Sequence, residues 1–336
     1  MKVLFHRLPG GVTRAREPQC TRQPALRGVA AALVLLLLPA LTSGCSIKRY
    51  AVNQVGNALA SGGSTFATDE DPELIRAAVP FSLKLMESLL AESPRHRGLL
   101  FATSSGFTQY AYAFVQQDAD ELEDKDLTAA NALRVRAKHL YLRARNYGLR
   151  GLETSHRDFE VRLRAQPRGA VRGLRKADVP LLYWTAVSWG AAIALGKDDP
   201  PLLAEIPQME ALIDRALELD EACGAGAIHG FLITYEMARQ GAPGTPAERS
   251  RRHFERAMAL AHGQQAGPLV AYAEAVAVQQ QDLKSFESLL REALAVNPDA
   301  KPEYRLVNLV MQRRARWLLG KKEDLFLVPD KPANKN

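Results

Sequence analysis

From Asp71 onward, apolar residues recur every three or four positions almost without interruption, and this periodicity constrains the fold more than any other feature. Leu74, Ile75, Ala78 and Leu85 follow it at the start of the pattern. Such spacing gives an α-helix one apolar face. The sequence contains no alternation of apolar and polar residues of the length that strands would need. The chain is therefore predicted to be all-α.

Turn and capping residues divide this pattern into separate helices. Asp71-Pro72-Glu73 is typical of a helix start, and Ser93-Pro94 and Asp178-Val179-Pro180 resemble it. The acidic run 118–126 is predicted to be a solvated connector, and 151–177 to be a short helix with a loop. Longer helices are expected over about 127–150, 181–195, 200–220, 224–240, 246–262, 265–280, 282–296 and 301–319.

Several of these helices end in similar segments. Ala216, Ala257 and Ala293 each stand in an apolar helix end, and they lie 41 and then 36 residues apart. These intervals are close to the roughly 34-residue period of tetratricopeptide repeats, in which paired helices stack side by side. We therefore predict an α-solenoid or helical bundle of degenerate tetratricopeptide-like helix pairs over 71–325, followed by a flexible tail over 326–336.

The N-terminus has the features of a bacterial lipoprotein signal. Basic residues precede a 13-residue apolar run, 29–41, which is too short for a membrane span of about 20 residues. Thr-Ser-Gly-Cys45 follows, with the preferred leucine one place early. We predict that 1–44 is a removed leader, that Cys45 carries lipid, and that 45–70 is a tether with one short helix.

Removal of this leader would change the charge balance. The leader holds six Lys/Arg and one Asp/Glu, so of 44 basic and 37 acidic residues the mature chain would keep 38 and 36. A net charge of +2 without a basic stripe does not predict nucleic-acid binding. Ser46, where an Asp would retain a lipoprotein at the inner membrane, favours the outer membrane. The protein is expected in the cell envelope, facing the periplasm.

The sequence lacks the patterns of catalytic and metal sites. Its seven histidines show no metal-binding spacing, and Cys223 would be the one thiol left in the mature chain, so no internal disulfide is expected. The acidic run fails the EF-hand order, because Glu123 holds the glycine position. We predict no enzyme activity, no cofactor and no metal.

Two helical stretches, 101–114 and 183–190, mix aromatic residues with small and polar ones. Ordinary core packing explains aromatics at helical spacing. The wall of a ligand cavity is the alternative, with hydroxyls or amides to orient the ligand. Glycines in these helices indicate either close helix contact or room for a ligand. The candidate ligand-lining residues are Ser105, Phe107, Gln109, Tyr110, Tyr183, Trp184 and Trp189.

Segments spread over nearly the whole mature chain resemble the T-component (TatT) family of tripartite ATP-independent periplasmic (TRAP) transporters. They are the Cys45-Ser46 leader end, 104–115, 183–193, His229-Gly-Phe-Leu232, His253-Phe-Glu-Arg-Ala257, Tyr272-Ala-Glu274 and Arg305-Leu-Val-Asn308. The resemblance implies a tetratricopeptide-like lipoprotein that forms homotrimers and encloses a narrow, mostly apolar pore near both aromatic stretches. It also implies association with a substrate-binding P-component and delivery of small organic, hydrophobic ligands.

The leading hypothesis is therefore a lipid-anchored accessory component of a TRAP-type transport system that binds or conducts a small organic ligand. The alternative is an envelope scaffold of the same fold, which would dock proteins on its concave face without a small ligand. A groove lined by charged residues would favour the scaffold hypothesis, and a groove lined by aromatic residues would favour the ligand-binding hypothesis.

Overall fold

The computed structural model describes residues 52–58 and 63–327, and all regular secondary structure within these residues is helical. The all-α prediction is confirmed. The predicted leader, Cys45 and residues 328–336 lie outside the described residues.

The first part of the chain forms helices that are mostly joined by short connections. They are α1 (52–58), α2 (Gly63–Ala67), α3 (Pro72–Glu92), α4 (Arg97–Ala111), α5 (Gln117–Leu122), α6 (Leu127–Glu153), α7 (Phe159–Ala165), α8 (Pro167–Ala170), α9 (Val179–Ala194), α10 (Pro200–Leu203) and α11 (Ile206–Leu219). A π-helical segment, Tyr112–Gln116, joins α4 to α5. Short 3-10 turns, Val171–Gly173 and Lys176–Asp178, precede α9.

The second part continues with helices of similar length. They are α12 (Ala227–Tyr235), α13 (Pro246–Leu260), α14 (Gly267–Tyr272), α15 (Leu283–Ala295), α16 (Arg305–Gly320) and α17 (Lys322–Leu325). A second π-helical segment, Ala273–Ala277, extends α14. Three further 3-10 turns are Cys223–Ala225, Pro298–Ala300 and Pro302–Tyr304.

Capping side chains set several helix starts as the sequence predicts, and one start differs. Asp71 accepts hydrogen bonds from backbone N–H groups in the first turn of α3, and Thr245 forms a capping box at α13. Ser93 does not start α4, because its own N–H bonds back to the end of α3. The helix begins instead at Arg97, where the ring of His96 accepts from the first turn.

Helix α6 lies at the centre of the first part. It packs against both α4 and α9, and α9 also packs against α11. The shared core includes Tyr141, Leu152, Leu182 and Leu212, all buried from solvent. Burial of side chains of this size contributes about 1.5–3 kcal/mol each, so this core dominates the stability of the first part.

A second core holds α14, α15 and α16 together around Phe286 and Leu290. Phe326, which the sequence analysis assigns to the tail, is buried in this core, with its ring centroid 4.9 Å from that of Phe286. Ordered packing therefore continues through this residue.

The alanines that indicated a repeat are all buried. Ala216 and Ala293 are 0% exposed, and Ala257 is 1% exposed. Each lies in the last two turns of a long helix. A methyl group at such a position lets a neighbouring helix approach closely, as the helix-pair prediction requires.

The acidic run 118–126 is only in part the solvated connector that the sequence analysis predicts, since 123–126 form an exposed turn before α6 whereas 118–122 are helical and partly buried. Helix α5 extends into it, and Asp118 accepts hydrogen bonds from Arg76 of α3 at 2.5 Å and from Arg313 of α16 at 2.7 Å. Glu121 lies 2.7 Å from the same Arg313. The carboxylates of the run therefore pair with guanidinium groups of other helices, which compensates the cost of removing both charges from water.

Arg314 is at the most buried point of these ion pairs. Its guanidinium bonds Asp120 at 2.8 Å and Glu274 at 2.5 Å, and it lies 4.2 Å from the ring centroid of Trp317. Asp120 also accepts from Arg134 at 3.3 Å. Arg314 and Asp120 are 194 positions apart, so this ion pair joins the second part of the chain to the first.

A histidine pair connects α12 and α13. The Nδ1 atoms of His229 and His253 are 2.8 Å apart, so one ring must donate and the other accept. The other nitrogen of His229 lies 3.3 Å from Glu221, which also pairs with Arg256. Burial, reinforced by the neighbouring His229, lowers the pKa of His253 to about 4. The pair therefore stays neutral at neutral pH.

Arg314→Met should lower the free energy of unfolding by about 2–3 kcal/mol, because Glu274 loses its charged donor and Asp120 keeps only the longer bond from Arg134. Urea unfolding followed by circular dichroism measures this change. Arg316→Met is the matched control, since Arg316 lies on the same helix, is exposed and forms no ion pair with the described residues. Its expected effect is below about 0.5 kcal/mol. Equal losses in the two variants would contradict a structural role for the ion pairs.

The stability of the protein should fall as the pH is lowered from about 6.5 towards 4. Unfolded histidine binds a proton near pH 6.5, whereas folded His253 does so near pH 4, so the unfolded state binds more protons in between. His253→Gln should flatten the fall in Tm between about pH 7 and about pH 5, above the carboxylate range. His139→Gln should retain the wild-type fall in Tm, because His139 lies on the exposed face of α6. A wild-type slope in His253→Gln would assign the effect to another group.

Candidate functional site

Helices α4, α6 and α9 converge at Gly148 of α6. A Cβ atom at this position would lie 2.1 Å from Oγ1 of Thr185 and 3.1 Å from Oγ of Ser104, so only glycine fits. Ser104 lies on α4 and Thr185 on α9, and both are fully buried. The two aromatic stretches of the sequence analysis therefore meet against the same helix.

The hydroxyl groups in this contact mostly bond within their own helices. Thr103, Thr108 and Thr185 each donate to the carbonyl four residues earlier, over 2.6–2.8 Å, and Ser188 donates to the Thr185 carbonyl at 3.0 Å. Ser104 is the exception, because its buried hydroxyl has no hydrogen-bond partner among the described residues. Bonding back to the helix lets polar side chains occupy a dry contact.

The structure distributes the candidates of the first stretch over the inside and the outside of α4. Ser105 and Phe107 are buried, and the Phe107 ring stacks on Tyr147 with 6.1 Å between centroids. Gln109 is exposed and donates to the Ser105 carbonyl at 3.3 Å, whereas Tyr110 is half-buried. Of the two candidate aromatics of this stretch, Phe107 and Tyr110, only Tyr110 therefore combines packing with accessible surface.

The candidates of the second stretch divide in the same way. Trp189 is 3% exposed, and its Nε1 donates to Glu205 at 2.9 Å. Arg145 bonds the same carboxylate at 2.6 Å and lies 4.9 Å from the Trp189 ring centroid. Tyr183 and Trp184 are half-buried, with centroids 5.0 Å apart in an edge arrangement. Trp189 is therefore held in the core, while Trp184 keeps surface that a ligand could contact.

The glycines of both stretches serve close helix contact. A Cβ atom at Gly106 would lie 2.9 Å from Leu83, and one at Gly190 would lie 2.9 Å from the Phe231 ring. Of the two explanations that the sequence left open, close contact accounts for both positions.

Two surface clefts among the described residues contain none of the candidate ligand-lining side chains. The first, of about 600 Å³, is lined by Pro94, Arg95, Arg150, Glu153, Thr154, Ser155, Arg157 and Asp158. The second, of about 490 Å³, lies at the end of α11 and is lined by Leu217, Glu218, Leu219, Asp220, Glu221 and His229. Charged and polar side chains predominate in both. Within the described ranges no three His, Cys, Asp or Glu side chains are grouped so that they could hold a metal ion.

The sequence analysis missed a buried polar cluster between the two π-helical segments. Tyr112 begins the first segment and packs against both cores and against a third cluster that includes Ile75 and Val310. Burial of its hydroxyl raises the pKa of Tyr112 to about 12. Gln117 is 1% exposed, and neither atom of its amide has a partner among the described residues. Glu274, in the second segment, pairs with Arg314. A π-helical turn changes which side chains face inward, and no periodic signal in the sequence marks it.

A protein of Treponema pallidum (strain Nichols), described as uncharacterized, is similar to this chain over nearly its full length. The two are 29% identical over 305 residues, which cover 85% of this chain and 94% of the Treponema protein. The similarity is therefore not restricted to one repeated helix pair.

Within 52–58 and 63–327, no helix is long and apolar enough to cross a membrane. The sequence model of the family described as "TRAP transporter T-component" matches residues 68–326, which is well over half of the chain and includes every helix from α3 to α17. This match confirms the resemblance recognised in the sequence. A T-component has a role in transport, associates with the other components of its TRAP system and is a membrane-associated protein of the cell envelope. The chain belongs to the TRAP transporter T-component family.

Proposed function

We propose that this T-component is a lipoprotein accessory that binds or conducts a small organic, mostly hydrophobic ligand and transfers it to or from a substrate-binding P-component. The observation that carries the proposal is the family match over the whole helical domain. The aromatic surface of α4 and α9 gives the proposal a location.

The half-buried aromatics support a ligand contact better than the buried ones. Tyr110, Tyr183 and Trp184 combine rigid apolar rings with accessible surface, which suits a small organic ligand. Phe107 and Trp189 pack behind them and would shape the surface without direct contact. We propose that the ligand contacts residues of this first group, either Tyr183 and Trp184 of α9 or Tyr110 of α4 with the exposed Gln109 and the buried Ser105 of the same helix.

We further propose that Cys45 carries the lipid that anchors the protein, with the helical domain facing the periplasm. The basic leader, its short apolar run and the Ser-Gly-Cys45 step support this assignment. Ser46 after the lipidated cysteine favours the outer membrane over the inner one. One acylated cysteine with several chains would suffice for stable anchoring.

Association of three protomers is part of the proposal. Helix α3 presents Leu74, Phe81 and Leu85 on one face, and these side chains are 56%, 73% and 36% exposed. Three exposed apolar side chains at helical spacing support a contact between copies of the chain on this face.

The scaffold alternative also has an observation in its favour, since both surface clefts are lined mainly by polar and charged residues. Such clefts suit docking of a protein surface better than capture of a hydrophobic molecule. The two hypotheses predict different results for the purified protein, because only a ligand-binding component should carry a small molecule.

Native mass spectrometry of the full lipidated chain, released from detergent, should show a trimer that carries a displaceable small mass. Trp184→Ala should keep the trimer and lose most of this mass, because it removes accessible ring surface, and Trp184→Phe should retain part of it. Trp189→Ala should instead destabilise the fold by about 3–5 kcal/mol, since it empties a core position. An unchanged bound mass in Trp184→Ala would contradict the site, and a monomer carrying nothing would favour the scaffold.

Phe81→Glu should convert the trimer to monomers in the same measurement, because it places a charge on the apolar face of α3 without touching the core. Val135→Glu is the control, since Val135 is 52% exposed on α6 and lies outside that face. A trimer that persists in Phe81→Glu would show that protomers associate elsewhere.

A further inference from the structure

The segment 150–176, called the basic segment here, carries eight basic and three acidic residues. All eight basic side chains are exposed: Arg150, Arg157, Arg162, Arg164, Arg168, Arg172, Arg175 and Lys176. The excess of five positive charges is larger than that of the whole predicted mature chain, +2. Positive charge is therefore concentrated on one short stretch between α6 and α9.

Most of this charge lacks a counter-ion within 52–58 and 63–327. Arg164 pairs with Glu160 at 2.7 Å and Lys176 with Asp220 at 3.2 Å. Five of the other arginines form no ion pair with any described residue, namely Arg150, Arg162, Arg168, Arg172 and Arg175. Arg313 and Arg314 of α16 are neutralised by carboxylates of other elements, whereas these five have no such partner among the described residues.

Both ends of the basic segment are hydrogen-bonded to the connection between α3 and α4 or to the first residue of α4. Arg95 donates to the Thr154 carbonyl at 3.2 Å, and Arg97 donates to Oγ of Ser155 at 2.9 Å. Arg97 also donates to the carbonyl of Ala177 at 3.1 Å. The connection between α3 and α4 therefore lies directly beside both ends of the segment.

The same connection holds the N-terminal helix α1. Ser93 donates to Asn53 at 2.8 Å, and the ring of His96 lies 3.3 Å from the Asn53 carbonyl. Gly56 of α1 is buried against Leu99, with no room for a side chain. The chain therefore enters the helical domain next to the basic segment.

Only residues 46–51 separate α1 from Cys45. Seven residue steps span at most about 25 Å even when fully extended. A lipid on Cys45 would therefore keep the entry point of the chain, and the basic segment beside it, close to the bilayer surface.

We propose that the basic segment lies against the membrane and binds the phosphate groups of anionic lipids. This inference rests on the proposed anchor at Cys45. Guanidinium groups form paired hydrogen bonds with phosphate, and clustered arginines near a bilayer are attracted to anionic headgroups. Contact at this surface would orient the helical domain on its anchor.

The outer face of α7 favours a lipid surface over an acidic protein. Val161 is 68% exposed and directly precedes Arg162 on α7, with Arg164 one turn further along, while Phe159 and Leu163 face the core. An exposed apolar side chain next to arginines fits the headgroup boundary, where it enters the interface as the guanidinium groups reach phosphates.

The test uses the full lipidated chain with Cys223→Ser and Val161→Cys, labelled at position 161 with a fluorophore. It is reconstituted in vesicles of phosphatidylcholine alone or with phosphatidylglycerol, each containing a headgroup spin-labelled lipid as quencher. We expect quenching in the phosphatidylglycerol vesicles and its loss at high salt, because exposed charges are then screened. Arg162→Glu/Arg168→Glu/Arg172→Glu should reduce quenching to the level in phosphatidylcholine alone.

Arg136→Glu/Arg252→Glu/Arg316→Glu is the matched control, with the same change of charge at exposed residues of α6, α13 and α16. It should retain the quenching. Equal loss in both triple variants, or no quenching in any vesicle, would overturn the inference. So would a basic-segment triple variant that keeps its quenching but no longer binds the substrate-binding protein, because the segment would then be a protein-docking surface.

Flotation tests the anchor separately. The lipidated chain should float with phosphatidylcholine vesicles whether or not the basic segment is altered. Failure to float would refute the anchor at Cys45. Salt-sensitive quenching that depends on the three arginines would still support the basic segment in that case.

Discussion

The ion pairs between α5 and α16 are the interaction on which the rest of the structure depends. Asp118 and Asp120 lie early in the chain, Arg313 and Arg314 lie near its end, and their side chains meet at 2.7–2.8 Å. A pair of charges buried this far is costly unless each charge is fully matched, and here each guanidinium binds two carboxylates. These ion pairs join the two parts of the chain.

The candidate site follows from how closely the helices of the first part approach. Gly148 brings α4, α6 and α9 into contact, so the small and hydroxyl residues of the aromatic stretches are used for packing. The rings then separate into a buried set, such as Trp189, and a half-buried set, such as Trp184. Tyr183 and Trp184 are adjacent half-buried rings, and the core behind α9 fixes their position.

Much of the fold could be predicted from the sequence, because helical periodicity and capping are local. The start of α3 at Asp71 and most of α6, expected over about 127–150 and observed over Leu127–Glu153, follow from such signals. The predicted start of α4 was wrong by a few residues, because Ser93 caps the end of α3 and His96 is the N-cap of α4. The family resemblance could also be recognised from the sequence, because it rests on the order of many short segments and not on contacts between distant residues.

The sequence by itself determined that this chain is helical, where most of its helices begin, and that it belongs with the TRAP transporter T-components. Only the tertiary structure decided which polar residues are buried. The acidic run has the composition of a solvated loop, yet Asp118 and Asp120 are matched by Arg76, Arg313 and Arg314 from distant parts of the chain. Pairing between residues far apart in the chain depends on how helices pack, and local periodicity carries no information about it.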